Sequence, residues 1–305
     1  MQKFILRRAW QAVLVVVGVS LVVFFAMRLS GDPSFLMLPA DATEADRAQY
    51  QHEQGLDRPL HVQYLVFLQK AVAGDFGKSL RYRQAAFPLV LERLPATLEL
   101  ALAAMLVSLL VAVPAGVLAG VRRNSAYDAL SMLGALFGQS MPVFWLGIML
   151  ILIFSVHLEL FPTSGRDGLR HLVLPAITLG LYSTARVTRL VRAGMLDVLG
   201  QEYIRTAWAK GLAPRWVILK HALMNTLIPV VTIVGLELGT LLGGAVITET
   251  IFAWPGVGRL VVAAIFQRDY PIVQAAVMIL ALLFVFFNLA VDLLYGYLDP
   301  RIRYQ

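Results

Sequence analysis

Apolar residues in this chain gather into long blocks rather than short alternating runs. Six blocks are long enough to cross about 30 Å of hydrocarbon as helices. They run from Ala9 to Leu29, Leu98 to Val121, Leu130 to Leu158, Leu172 to Leu190, Leu227 to Ile251 and Ile272 to Tyr295. Pro142 lies inside the third block and predicts a kink or tilt there. A shorter pattern follows Pro59. In "PLHVQYLVFLQKAV" the residues Leu60, Tyr64, Phe67, Leu68 and Val72 recur at helical spacing. That predicts an amphipathic helix, opened by the proline, lying on a membrane face or packed on the spans.

Composition agrees with the pattern. The chain has 305 residues, is 59% hydrophobic and only 15% charged, where a soluble domain carries about 25% charged residues. Lys3, Arg7 and Arg8 precede the first block. Its apolar run is longer than a signal-peptide core, and no small-x-small cleavage site follows, so it is expected to stay as an anchor. The net charge of +7 is explained by topology, and no nucleic-acid-binding module is visible. With the N-terminus cytoplasmic, the inner segments 1–8, 122–129, 186–226 and 296–305 hold fourteen Lys and Arg, against two in each short outer loop, 159–171 and 252–271. Both termini are then inside. The chain has no cysteine, and its five histidines are scattered without metal-ligand spacing. No catalytic residue, metal site or cofactor is expected in the chain itself.

"GDFGKS", Gly74 to Ser79, ends like a phosphate-binding loop. That loop needs a glycine where Val72 stands, and a preceding strand. The segment also falls in the outer 30–96 loop, where ATP is not available. It is expected to be a glycine-rich turn. Arg28, Glu99 and Glu249 sit near span ends and are expected to reach the interface, while Arg186 and Arg189 are read as anchors at the inner end of the fourth span.

The segment "QEYIRTAWAKGLAPRWVILKHALMNTLIPVV", Gln201 to Val231, carries two short helices. In the first, Ile204, Ala207, Trp208 and Gly211 form one stripe, and Gly211 ends it as a left-handed cap. Pro214 opens the second, which runs through Trp216 to Leu223. On pattern alone this is either a membrane-surface helix or an element that passes motion from a partner to the spans.

The same segment resembles the cytoplasmic "EAA" loop of ABC importer permeases in the dipeptide, oligopeptide, nickel and glutathione branch. The matching positions are Glu202, Tyr203, Arg205, Thr206, Ala207, Ala209, Lys210, Gly211 and Leu212, then His221, Ala222, Leu223, Asn225 and Leu227 to Val230. Trp208 and Met224 stand where that branch usually has arginine. "GDP" at 31–33, "GLDRPL" at 55–60, "GDFGKS", "LPATLELA" at 94–101, "ETIFAWPGVGRL" at 249–260, "RDYP" at 268–271 and "LDPRIRY" at 298–304 extend the likeness along nearly the whole chain. The resemblance implies an all-α polytopic fold of the ABC type I importer permease kind, in a bacterial inner membrane. It implies a second homologous permease, two cytoplasmic ATPase subunits that hold ATP and magnesium, and an external substrate-binding protein. Membrane lipid surrounds the spans. Glu202, Tyr203, Arg205, Thr206, Ala207, Lys210 and Gly211 would then form the ATPase-coupling loop. The organisation expected is an anchor helix (1–29), an outer loop (30–96), a five-helix core (97–297) with the coupling loop at 193–226, and a cytoplasmic tail (298–305).

Inside the fifth span, Gly235, Gly239 and Gly243 are spaced by four, for packing within the subunit or against a second permease. Glu237, with Thr240 nearby, lies deep in the same span. A charge there costs on the order of 2.5–3.5 kcal/mol on insertion scales, so it faces water, a partner or the path. The sequence shows no obvious internal partner for it. Gln139 and Ser140, just before Pro142, are further path candidates. Two rivals were weighed. An intramembrane serine protease needs GxSG, but "GQSM" at 138–141 lacks the last glycine and the sixth span has no histidine. An ion-coupled secondary transporter or channel usually carries internal repeats, and none links 1–150 to 151–305.

Overall fold

The structure is a computed structural model that describes residues 2–29, 43–53 and 55–298. "GDP" at 31–33 and the segment 299–305 lie outside the described residues, as does the side chain of Arg28. Helices dominate, and extended pairing among the described residues is a single bridge between Lys78 and Ala85. In chain order the helices are α1 (Gln2–Leu29), α2 (Glu44–Glu53), α3 (Leu60–Val72), α4 (Ala86–Val121), α5 (Ala126–Ser140) and α6 (Val143–Leu150), which continues as a π-helical segment, Ile151–His157. Then come α7 (Leu169–Leu199), α8 (Glu202–Ala209), α9 (Pro214–Trp216) with a π-helical continuation Val217–Leu223, α10 (Met224–Ile251), α11 (Val257–Phe266) and α12 (Tyr270–Leu298).

Four stretches are long and apolar enough to cross a membrane: Leu6–Ala26, Ala86–Val121, Pro229–Ile251 and Tyr270–Asp292. A fifth is the pair α5 with Val143–His157, which meet at a bend of 104°. The kink expected at Pro142 is therefore a full break. Met141 takes an extended conformation (φ −77°, ψ 128°), as a residue before proline prefers, and Pro142 caps the next helix. The fourth apolar block lies in α7, which is 31 residues long but not apolar enough to join the others. Its polar side chains turn inward. The hydroxyls of Thr178, Thr184 and Thr188 donate to carbonyls four residues back, at 2.8, 2.9 and 2.7 Å. A helix enclosed by protein has no need of an apolar surface.

The chain divides into two compact units. One comprises Gln2–Pro95 and Gly256–Val285. Its core packs Ala86 and Val90 of α4 against Val257, Leu260, Val261 and Ala264 of α11 and Ile272, Val273, Ala276 and Ile279 of α12. α3 begins after Pro59, as its pattern predicts. Phe24 of α1 meets Tyr64 and Phe67 of α3 at ring separations of 5.5 and 5.8 Å, and Phe67 continues through Phe76 to Phe87. Aromatic edges and faces thus hold α1 to α3.

"GDFGKS" is the glycine-rich turn that ends α3 and leads into the Lys78–Ala85 bridge in this unit. Gly77 has φ +88°, a left-handed conformation that suits glycine. Its N–H takes the Asp75 carboxylate at 3.0 Å, and its carbonyl accepts from the Ala86 N–H at 3.0 Å. Ser79, the last residue of the phosphate-loop lookalike, donates to Oδ2 of buried Asp269 at 2.5 Å. The serine holds "RDYP" instead of a phosphate.

The other unit comprises Ala96–Pro255 and the chain from Phe286. Here α7 is central. Val187, Val191 and Met195 join Ala112 and Val117 of α4, Ile204 and Ala207 of α8, Val217, Ala222 and Val230 in one core. The α7–α4 approach is close enough that a Cβ on Gly180 would stand 2.5 Å from the Ala104 carbonyl oxygen. Replacing Gly180 with Ala is expected to lower stability by about 1–3 kcal/mol through this overlap. A lowered thermal unfolding midpoint of the purified protein in detergent checks it, with Gly134→Ala, which meets nothing within 4 Å, as control.

Candidate functional site: the loop after α7 and the polar cluster on α7 and α10

The loop begins at Gln201 in extended conformation, and α8 follows. It ends in a Schellman motif. The N–H of Gly211 (φ +73°) donates to Trp208 O at 2.9 Å, and that of Leu212 to Ala207 O at 3.4 Å. Pro214 then occupies the first turn of α9. Both signals expected of this loop, the left-handed glycine and the opening proline, are present. The expected stripe is split. Ile204 and Ala207 are buried in the core with α7, while Trp208 is 44% exposed and Gly211 is exposed.

The outward face of the loop carries Tyr203, Trp208, Leu212, Trp216 and Leu219, all exposed large apolar side chains. Glu202 and Arg205 pair at 2.9 Å but are highly exposed, so the pair adds little stability. The Thr206 hydroxyl donates to the Glu202 carbonyl, and Lys210 is exposed. The Asn225 amide donates to the Tyr203 hydroxyl at 3.1 Å, which ties α8 to α10. One side of the loop is therefore fixed in the core. The other side is an aromatic and aliphatic surface left exposed among the described residues.

Deeper in the same unit, Glu237 is buried, with 3% of its side chain exposed. The expectation that it lacks an internal partner is corrected. Arg186 Nη1 forms an ion pair with Oε1, Ser183 Oγ donates to Oε2 at 3.0 Å and Thr240 Oγ1 donates to it at 3.3 Å. Arg186 is accordingly the internal partner of Glu237. Thr240 itself is exposed, and so are Gln139 and Ser140 at the end of α5, where the helix breaks. The glycine stripe also divides. A Cβ on Gly235 would overlap Val291 of α12, Gly239 is buried, and Gly243 is exposed with nothing within 4 Å of a Cβ. Gly235 serves packing within the chain, and Gly243 leaves open space.

Two further polar sites escaped sequence reasoning. Asp128, in the first turn of α5, accepts Arg192 Nε at 2.5 Å and Nη2 at 2.8 Å. The spacing Ser125-x-x-Asp128 at a helix start was the available signal, since Ser125 caps α5. Glu249 does not reach the interface as expected. It is fully buried and accepts the Thr97 hydroxyl at 2.7 Å. Glu99 pairs with Arg166, whose guanidinium lies 5.7 Å from the Trp254 ring, and the Trp254 indole donates to Ala96 O at 2.8 Å. The "ETIFAWPG" residues are thus internal struts. No group of His, Asp or Glu with metal-holding geometry occurs among the described residues.

The described chain thus combines long apolar helices, a helix pair bent at Pro142 and a capped loop between two long helices. The comparisons supply the class. Residues 112–304 match the family model "Binding-protein-dependent transport system inner membrane component", and residues 1–101 match the N-terminal model of the same system. The chain belongs to this family. It is 42% identical to the dipeptide transport system permease DppB of Escherichia coli K12, with 100% of each chain covered. It is 42% identical to the oligopeptide permease AppB of Bacillus subtilis and 41% to the glutathione permease GsiC of Escherichia coli K12, again with full coverage of both. An inward-facing structure of the MetNI methionine ABC transporter matches with TM-score 0.59 at 19% identity, over 69% of this chain and 96% of that one, which shows the shared fold. The chain is a multi-pass permease subunit of an ABC importer in the bacterial inner membrane, a transport protein rather than an enzyme.

The pair of buried Glu237 and half-exposed Arg186 makes a stability prediction. Arg186→Gln leaves Glu237 without its cation and is expected to cost about 3 kcal/mol, while Arg186→Gln with Glu237→Gln costs clearly less than the single change. A thermal unfolding cycle on wild type, both singles and the double checks the sign of the coupling.

Proposed function

We propose that this chain is the permease of an importer of short peptides, paired with a second homologous permease. The observation that carries the reading is full-length identity of 40–43% to permeases named for dipeptides, di- and tripeptides, oligopeptides and glutathione. All of these relatives' named ligands are peptides or peptide-like. The two permeases together enclose the path, and an external binding protein delivers the ligand. Two cytoplasmic ATPase subunits hold ATP and magnesium.

In this reading α7 is the fourth crossing, which brings the number to six and both termini to the cytoplasm. Its 31 residues reach about 46 Å at 1.5 Å per residue. α8 and its Gly211 cap are the element on which an ATPase docks. The exposed Tyr203, Trp208, Leu212 and Trp216 supply an apolar ridge for a groove in the ATPase. The buried Ile204 and Ala207 tie that ridge to α7, so a displacement of the loop is carried into the spans. Gln139, Ser140 and Thr240 line the path where the α5 helix breaks and α10 is open. Glu237 acts behind them.

Two measurements test this reading. Uptake into vesicles containing the assembled complex is expected to require ATP; ATP-independent accumulation of the same peptide would favour the secondary-transporter alternative. Gly211→Val, which strains the cap by roughly 1–2 kcal/mol, is expected to uncouple ATP hydrolysis from uptake. Lys78→Ala, in the Gly74–Ser79 turn, is expected to leave coupling intact. The opposite pairing of results overturns the assignment of the loop.

A further inference from the structure

The middle of α7 is largely enclosed, and the opening there is chemically unusual. Between His171 and Leu190 the exposed residues are Tyr182 and Arg186, one turn apart on one face. A face turned to lipid would be aliphatic. A guanidinium exposed to hydrocarbon is among the costliest groups to place at this depth. Arg186 nevertheless keeps 43% of its side chain exposed while Nη1 is held by Glu237. On α10, Thr240, which shares the Glu237 carboxylate with Arg186, is exposed as well, and Gly243, about a turn further along, has open space around it. The opening therefore faces a polar occupant, and there is room for one.

The chemistry of the opening selects the occupant. Arg186 offers a planar fork of N–H donors, which matches a carboxylate. Tyr182 adds a phenolic hydroxyl on the same face. Glu237 is turned inward and covered by Arg186, Ser183 and Thr240, so it gives no exposed seat for an ammonium group. It has a second effect. Its charge fixes the guanidinium and partly neutralises it. A carboxylate is then held in a defined orientation but weakly, which suits a ligand that has to move on.

We propose that Arg186 and Tyr182, flanked by Thr240, form a carboxylate subsite that takes the C-terminal carboxylate of a peptide in transit. Glu237 is a positioning residue that orients Arg186. The proposal rests on the peptide-importer reading above and names the part of the peptide that this chain recognises.

The test uses the complete transporter in proteoliposomes, with its binding protein, and compares alanyl-alanine with alanyl-alanine amide. The binding protein's own affinity for each is measured separately, so that its preference can be divided out. Wild type is expected to carry the free acid about tenfold faster than the amide beyond that preference, the size of one lost hydrogen bond to a charged group. Arg186→Gln with Glu237→Gln, which leaves no lone buried charge, is expected to slow the acid about tenfold and abolish the excess preference. Tyr182→Phe, which keeps the ion pair and the ring, is expected to reduce the preference several-fold. If the double variant carries the acid at the wild-type rate with the preference intact, Arg186 serves structure only and the proposal is overturned. If the double variant no longer associates with the second permease, and Tyr182→Phe keeps the full preference, Arg186 faces the partner permease and the proposal is again overturned. A wild-type complex that imports some other ligand but neither peptide sinks the peptide reading itself, a result distinct from either of these.

Discussion

The structure depends on keeping the polar groups of α7 satisfied inside protein. This helix carries three arginines between Arg186 and Arg192 and four serine and threonine hydroxyls between Thr178 and Thr188. In hydrocarbon each would cost several kcal/mol if left without a partner. Arg186 is paired to Glu237 of α10 and Arg192 to Asp128 of α5, while the hydroxyls donate to backbone carbonyls or to Glu237. α5, α7 and α10 are therefore bound by charge as well as by packing. The pairs also fix register, because sliding α10 by one turn would strip Glu237 of its cation. Close backbone approach supplies the rest. Gly180 lets α7 lie directly against α4, and Gly235 lets α10 lie against α12.

Much of this was legible in the sequence, and what failed did so for a common reason. Helix positions follow from local patterns. Pro59, Gly211 and Pro214 punctuate the chain where the structure has helix boundaries. The loop after α7 could be read almost residue by residue, because its caps and turns are made by neighbours in the chain. Pairings were illegible. Ser183 reaches Glu237 across 54 residues, Arg192 reaches Asp128 across 64, and Thr97 reaches Glu249 across 152. Without knowing which helices are adjacent, a lone Glu237 looks like a charge in search of water, and Glu249 looks like a group at an interface. The same blindness affected α7. Arg186 looked like an anchor at the inner end of a span, although it is the partner of buried Glu237.

"GDFGKS" illustrates the difference between a motif and its chemistry. A phosphate loop uses its backbone N–H groups and its hydroxyl for an anion. Here the corresponding atoms are already engaged. Gly77 N–H takes the Asp75 carboxylate, and the Ser79 hydroxyl takes that of Asp269. The segment has kept an anion-binding habit, but its anions are carboxylates of its own unit. They fasten the turn to the start of α12 and leave no seat for a nucleotide.

The two faces of α8 then explain how one chain can be both anchored and responsive. A loop that was mobile throughout would absorb a partner's movement, and one buried throughout would offer no grip. α8 has Ile204 and Ala207 sealed in a core with Val187, Val191 and Met195, and Trp208 on the opposite side. Interior packing at crystal-like density transmits displacement instead of damping it. Arg186 lies on the same helix as that core, next to Val187 and about a turn and a half from Val191. Under the proposed reading, any push on the outward ridge of α8 reaches α7 first. The rigid pair with Glu237 then obliges α10 to follow. The polar pairing that makes α7 tolerable in a membrane is thus the same pairing that would let the loop reorient the guanidinium exposed on its face.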